Sequence, residues 1–141
     1  MQSKYVPIRA GSLLPLVLLY GAASLIHFSH NAEFLSEYPN LPAWFTRAGV
    51  YGAWVGVTAI GVVGYLLLRA RYARTGLLLL VVYGAFGLDG LSHYALAPPS
   101  AHTWTMNFTI GFEAVMGAVL IAAVMVALFR SRSGAMGDGA A

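Results

Sequence analysis

The chain contains no cysteine, and this excludes a disulfide framework, a thiolate metal site and a cysteine nucleophile together. Charge is almost as scarce, at 9% of residues, with only five acidic side chains in 141 positions. A water-soluble domain of this length needs far more polar surface than that. HExxH, Glu-x-x-His pairs and a glycine-rich phosphate loop are also missing, which removes zincin, ferritin-like di-iron and nucleotide-binding readings. Ser29 and Ser92 adjoin histidines in the sequence but point about 100° away from them on a helix, so no serine has a nucleophile's setting.

What the chain has instead is apolar mass. Apolar residues make up 59% of it and the mean hydropathy is +0.72. They gather into four runs at about 13–31, 49–68, 76–94 and 105–129, each near the roughly 20 residues that span a hydrocarbon core. The expected fold is all-α: a polytopic membrane protein built as an antiparallel four-helix transmembrane bundle. Residues 1–130 form its single domain, and "SRSGAMGDGAA" at 131–141 reads as a flexible cytoplasmic tail. The first run lacks a clear small-residue cleavage site and is followed by "NAEFLSEYPNLP", so it reads as a span, not a signal peptide.

Basic residues set the expected orientation. Lys4, Arg9, Arg69, Arg71, Arg74, Arg130 and Arg132 fall on one side of a four-span arrangement, and Arg47 alone falls on the other. The positive-inside bias then places both termini in the cytoplasm, in a multi-pass cell-membrane protein. The pI near 9.5 reflects this topology signal; membrane lipids are the expected partners and nucleic acid is not. A membrane-protein partner or a homo-oligomer is compatible with the pattern. Trp44, Phe45 and Trp104 fit an aromatic belt at the opposite interface.

An internal match accompanies these spans. "LYGAASLIHFSH" at 19–30 aligns without a gap on "VYGAFGLDGLSH" at 82–93, with six identities in twelve. A tandem duplication of a two-helix hairpin would produce this pattern, relating His30 to His93 about an axis near the membrane normal. Gly52 with Gly56, and Gly84, Gly87 and Gly90, are expected to bring helices close together.

The polar residues inside or beside the spans are the expected site. His27, His30 and Asn31 share one face of the first span, and Asp89 and His93 form an i,i+4 pair on the third. Asp89 and Glu113 are the two carboxylates within the apolar runs, each costing about 2.5–3.5 kcal/mol if ionised at a helix centre. If Ser100 caps the fourth span, His102, Met106, Thr109 and Glu113 make one stripe, with Asn107 beside it. His102 reads more readily as a solvated interfacial histidine than as a ligand. Glu33 and Glu37 read equally well as surface charges.

Imidazole and carboxylate donors suit Zn, Fe or Cu, so His27, His30, Asp89, His93 and Glu113 are the expected metal ligands. Asp89 and Glu113 are the expected catalytic groups. Haem is a further option, with His30 and His93 as axial ligands and a slot between the first and third spans made by Ala22, Ala23, Gly84 and Gly87. Two alternatives need neither. One is a cofactor-free membrane enzyme that acts on a lipid-like substrate by acid/base chemistry, with Asp89–His93 as shuttle and Glu113 as cation stabiliser. The other is an assembly or transport subunit whose polar core only fixes packing, with His93 bonded to Asp89 and His27 or His30 to Glu113.

Overall fold

A computed structural model describes residues 10–137 of the chain. Lys4 and Arg9 lie outside the described residues. Among the described residues the chain is all-α, and four helices are long and apolar enough to cross a membrane. The long helices are α1 (Ala10–Glu33), α2 (Arg47–Arg69), α3 (Ala73–Asp89) and α5 (Trp104–Gly137), with a one-turn helix α4 (His93–Leu96) after α3. At 1.5 Å per residue, the 23 residues of α2 reach about 34 Å, enough for a core of about 30 Å. Around the bundle, α1 packs on α2, α2 on α3, α3 on α5 and α5 on α1, while α1 and α3 meet across the centre.

Each connection follows from local chemistry. Beyond α1 the chain makes a single 3₁₀ turn over Leu35–Glu37 and then bends at Asn40, whose φ of 60° suits asparagine between two prolines. Thr46 caps α2 by accepting from the Gly49 N–H at 3.1 Å. The α2–α3 turn is tight because Gly76 touches its partner's backbone. A Cβ there would stand 2.6 Å from Leu68 N and 2.7 Å from Gly64 O. Ser100 does not cap the last helix. Thr103 does, its hydroxyl accepting from Met106 N–H at 3.2 Å, while Pro99–Ala101 form a 3₁₀ turn.

The bundle has two halves. Toward the termini its core is apolar, with Leu13, Val17, Tyr20, Leu77, Leu80, Tyr83, Leu120 and Val124 all buried. Toward the loops at 34–46 and 97–103, here the distal end, the interior turns polar: Ser24, His27, Asn31, His93, His102, Thr109 and Glu113 are buried. Large apolar side chains cover the outside instead, including Leu18, Val55, Leu78 and Val115 on the four long helices. That inversion is what lipid contact allows and water does not.

Glycine spacing decides how closely α3 and α5 approach. A Cβ on Gly117 would stand 2.4 Å from Gly84 O, and one on Gly87 would stand 3.0 Å from Glu113 O. The thinned face of α3 is therefore closed by α5, and the slot expected for haem beside Gly84 and Gly87 does not exist. Gly52 and Gly56 differ from expectation too: both are exposed, with open space where a Cβ would stand, so they pack no helix within the chain.

Candidate functional site

The α1 contribution is a stripe. Tyr20, Ser24, His27 and Asn31 are spaced four, three and four apart, so they share the interior face, and each is buried. Met106, Thr109 and Glu113 on α5 meet them with spacings of three and four. Between the two helices His27 Nε2 stands 3.7 Å from Glu113 Oε2. Gly90 covers the pair: a Cβ there would lie 3.4 Å from Glu113 Oε2 and 3.5 Å from His27 Nε2.

Hydrogen-bond directions orient the imidazole. Thr109 donates its hydroxyl to Met106 O at 3.1 Å, so its oxygen accepts from His27 Nδ1–H at 3.4 Å. His27 Nε2 is then the ring atom that faces the carboxyl group. Neither Glu113 oxygen has a partner within 3.5 Å, and besides His27 the Ser24 hydroxyl acts on it, as it also does on Tyr20. Glu113 is 1% exposed, so it is shielded from bulk solvent. One proton between Glu113 and His27 Nε2 leaves the pair with no net charge, the form a low-dielectric interior favours.

A second polar tier lies nearer the distal end and is bonded in part, with Asn31 Oδ1 and His102 Nε2 buried without a partner. Asn31 Nδ2 donates to His93 Nε2 at 3.2 Å, and His30 Nδ1 meets Tyr38 OH at 2.9 Å. Tyr94 donates to Asn107 Oδ1 at 2.9 Å, and Asn107 Nδ2 donates to Pro99 O at 3.0 Å. His102 Nδ1 lies 3.1 Å from Pro98 O. The rings of His93 and His102 flank that of Tyr38, at centroid distances of 4.9 and 6.4 Å. Tyr38 comes from the first connection and is buried there, which pushes its phenol up to about 12. His102 is thus packed into the interior, against its reading as a solvated side chain.

The expected five-donor set is not assembled. Among the described residues, no group of three or more His, Asp or Glu is arranged to hold a metal ion. Asp89 is exposed and joins neither His93 nor Glu113 by a hydrogen bond or ion pair. The cause is local: residues Gly90–Ser92 adopt 3₁₀ geometry. Each such residue turns about 120° instead of 100°, so three of them rotate the succeeding turn by about 60°. His93 is carried inward while Asp89 stays outside. Asp89 and His93 therefore interact only through charge, whereas His27 and Glu113 face each other at ion-pair distance. His30 turns to Tyr38, and His93 to Asn31, so the two histidines matched by the internal repeat have different partners. Tyr20 and Tyr83, also matched by it, meet edge-on at the centre with centroids 4.5 Å apart.

Tyr20, Ser24 and Tyr38 were not among the expected site residues. The four–three–four spacing from Tyr20 to Asn31 carries the signal for the first two; nothing local marks Tyr38. Fold and site together define a multi-pass four-helix membrane bundle with a buried, incompletely bonded His–Glu pair. Comparison with protein-family models, curated proteins and solved structures returned no match.

Proposed function

We propose that this protein is a cofactor-free membrane enzyme that acts on a lipid-like substrate by acid/base chemistry at His27 and Glu113. One observation carries the reading: Glu113 is buried within the bundle and neither of its oxygens is hydrogen-bonded. A carboxyl group kept only for packing would have its hydrogen bonds completed, because an unmet buried polar atom costs about 1–3 kcal/mol. An apolar side chain would serve packing better. The unmet capacity suits a group that gives a proton up and takes one back.

The chemistry needs no redox partner. Glu113 supplies the pair's one proton to an unsaturated or enolisable carbon skeleton, and His27 Nε2, with its Nδ1–H fixed by Thr109, takes a proton from a neighbouring carbon of the substrate. Passing that proton from Nε2 to Glu113, where it exchanges with solvent between turnovers, completes the cycle, so a double bond moves and no atom is gained. The distal tier has a different role. Its bonds between Asn31 and His93, His30 and Tyr38, and Tyr94 and Asn107 join α1, α4, α5 and the first connection, and they hold the pair in register.

Charge supports an orientation with the termini in the cytoplasm. Arg69, Arg71 and Arg74 cluster at the end opposite the site, whereas Arg47, at the distal end, is engaged by Glu33. Glu33 also accepts from Tyr51 OH at 2.8 Å, so it belongs to this surface pair and not to the buried site.

The test uses solvent deuterium. Protein reconstituted with the neutral lipids of its host membrane is incubated in D₂O, and the extracted lipids are weighed by mass spectrometry. The expected result is a lipid species that gains one carbon-bound deuteron with the protein, and not with Glu113→Gln. If labelling matches that of protein-free vesicles, the acid/base reading is wrong and the buried pair is structural.

A further inference from the structure

Nearer the middle of the bundle, a cleft of about 290 Å³ separates α1 from α2 and α3. Leu18, Leu25 and Val62 line it and are exposed, so its rim belongs to the lipid-facing surface. Its floor is closed by Tyr83. A Cβ on Gly61 would stand 2.6 Å from that ring, and one on Gly21 would stand 3.0 Å from its hydroxyl. The space equals roughly ten water-sized volumes and lies at the small end of ligand sites, which begin near about 300 Å³.

Besides the Tyr83 hydroxyl, two polar atoms of α2 give this largely apolar cleft a chemical preference. Trp54 Nε1 and Thr58 Oγ1 have no partner within 3.5 Å, Thr58 acting only on the Tyr83 hydroxyl beyond that distance, and all three residues line the cleft. Trp54 and Thr58 are four apart on α2, hence on one face. An indole N–H only donates, and a hydroxyl readily does. Counted along α2 from Arg47, they lie about 10 and 16 Å below the distal end at 1.5 Å per residue. Hydrocarbon at that depth offers no acceptor, and a charged headgroup is costly there.

We infer that the cleft binds a neutral long-chain lipid through a carbonyl oxygen. Its two lone pairs accept from Trp54 N–H and Thr58 O–H, while its chain leaves over Leu18 and Val62 into the bilayer. The bound head lies beside Tyr83, whose ring meets Tyr20, and Tyr20 lies against Gly87, which packs on the main-chain carbonyl of Glu113. Lipid binding in this cleft stands on the two donors; its assignment as the substrate's site rests on the acid/base reading.

Indole fluorescence reports on it directly. Trp44 and Trp104 are strongly exposed, so Trp44→Phe with Trp104→Phe leaves Trp54 as the single indole of the chain. In vesicles, a brominated long-chain ketone is compared with the brominated alkane of equal length as quencher. The ketone is expected to quench saturably, at a membrane mole fraction about three- to thirtyfold below the alkane, as hydrogen bonds in bilayers allow. Thr58→Val is expected to weaken the ketone about three- to tenfold and leave the alkane unchanged, while Thr58→Ser restores it. Equal, unsaturable quenching by both probes, or a ketone insensitive to Thr58→Val, overturns the inference. Saturable ketone binding without deuterium transfer keeps the cleft and rejects the acid/base reading; deuterium transfer without it does the reverse.

Discussion

His27 Nε2 faces Glu113 Oε2 at 3.7 Å, and among the described residues no group lies within 3.5 Å to complete the carboxyl group's hydrogen bonds, the Ser24 hydroxyl acting on it from farther off. The two residues come from the first and last long helices, 86 positions apart, and Gly90, just beyond α3, lies against both. An arrangement of this kind sacrifices stability locally, which makes it open to measurement.

Replacing Glu113 with methionine removes two unpartnered oxygens and keeps the volume. The expected outcome is a protein about 1–3 kcal/mol more stable in detergent or bicelles, with deuterium transfer abolished. Thermal unfolding followed by circular dichroism checks the first half. A clear loss of stability would mean that Glu113 serves packing.

Asp89 is exposed and acts on His93 and Glu113 only through its charge, so Asp89→Asn is expected to leave deuterium transfer within about tenfold of the natural chain. Glu113→Gln in the same assay is the contrast. A severe loss in Asp89→Asn would return the third span's carboxylate to the chemistry.

Gly117→Ala and Gly52→Ala separate the packed glycines from the exposed ones. At Gly117 the added methyl runs into Gly84 O, so overpacking is expected to cost about 1–3 kcal/mol or more. Gly52 has nothing within 4 Å, and alanine there is expected to be neutral or stabilising by up to about 1 kcal/mol through helix propensity. The comparison is read from unfolding midpoints.

Four spans were legible in the sequence because length and hydropathy alone determine them, and the inward His27–Asn31 face followed from helical spacing. The link from His27 to Glu113 was legible as one of several pairings. Asp89 was misplaced because nothing in "GLDGLSH" announces the 3₁₀ turn at Gly90–Ser92 that breaks the i,i+4 relation with His93. Gly52 and Gly56 show the same limit: small residues permit close packing, and whether another helix arrives depends on the whole bundle. Tyr38 is invisible to any periodicity, since a loop brings it over the histidines.

Tyr38 gives the pH dependence a sign. Its folded phenol is raised to about 12 by burial, whereas an unfolded tyrosine titrates near 10. The resulting stability is full below pH about 10 and is lost as pH rises toward about 12, because the unfolded chain releases that proton first. Unfolding free energy is expected to fall about 1–2 kcal/mol further across this window in the natural chain than in Tyr38→Phe. Parallel curves would mean that Tyr38 ionises freely in the folded state.

The most direct measurement is a double-variant cycle on deuterium transfer with His27→Gln, Glu113→Gln and the two combined. If the pair acts as one proton-handling unit, each single variant loses about 10²–10⁴-fold in rate and the double variant loses no more than the worse single one. Losses that multiply in the double variant, or a single variant that keeps its rate, would contradict a shared proton between His27 and Glu113.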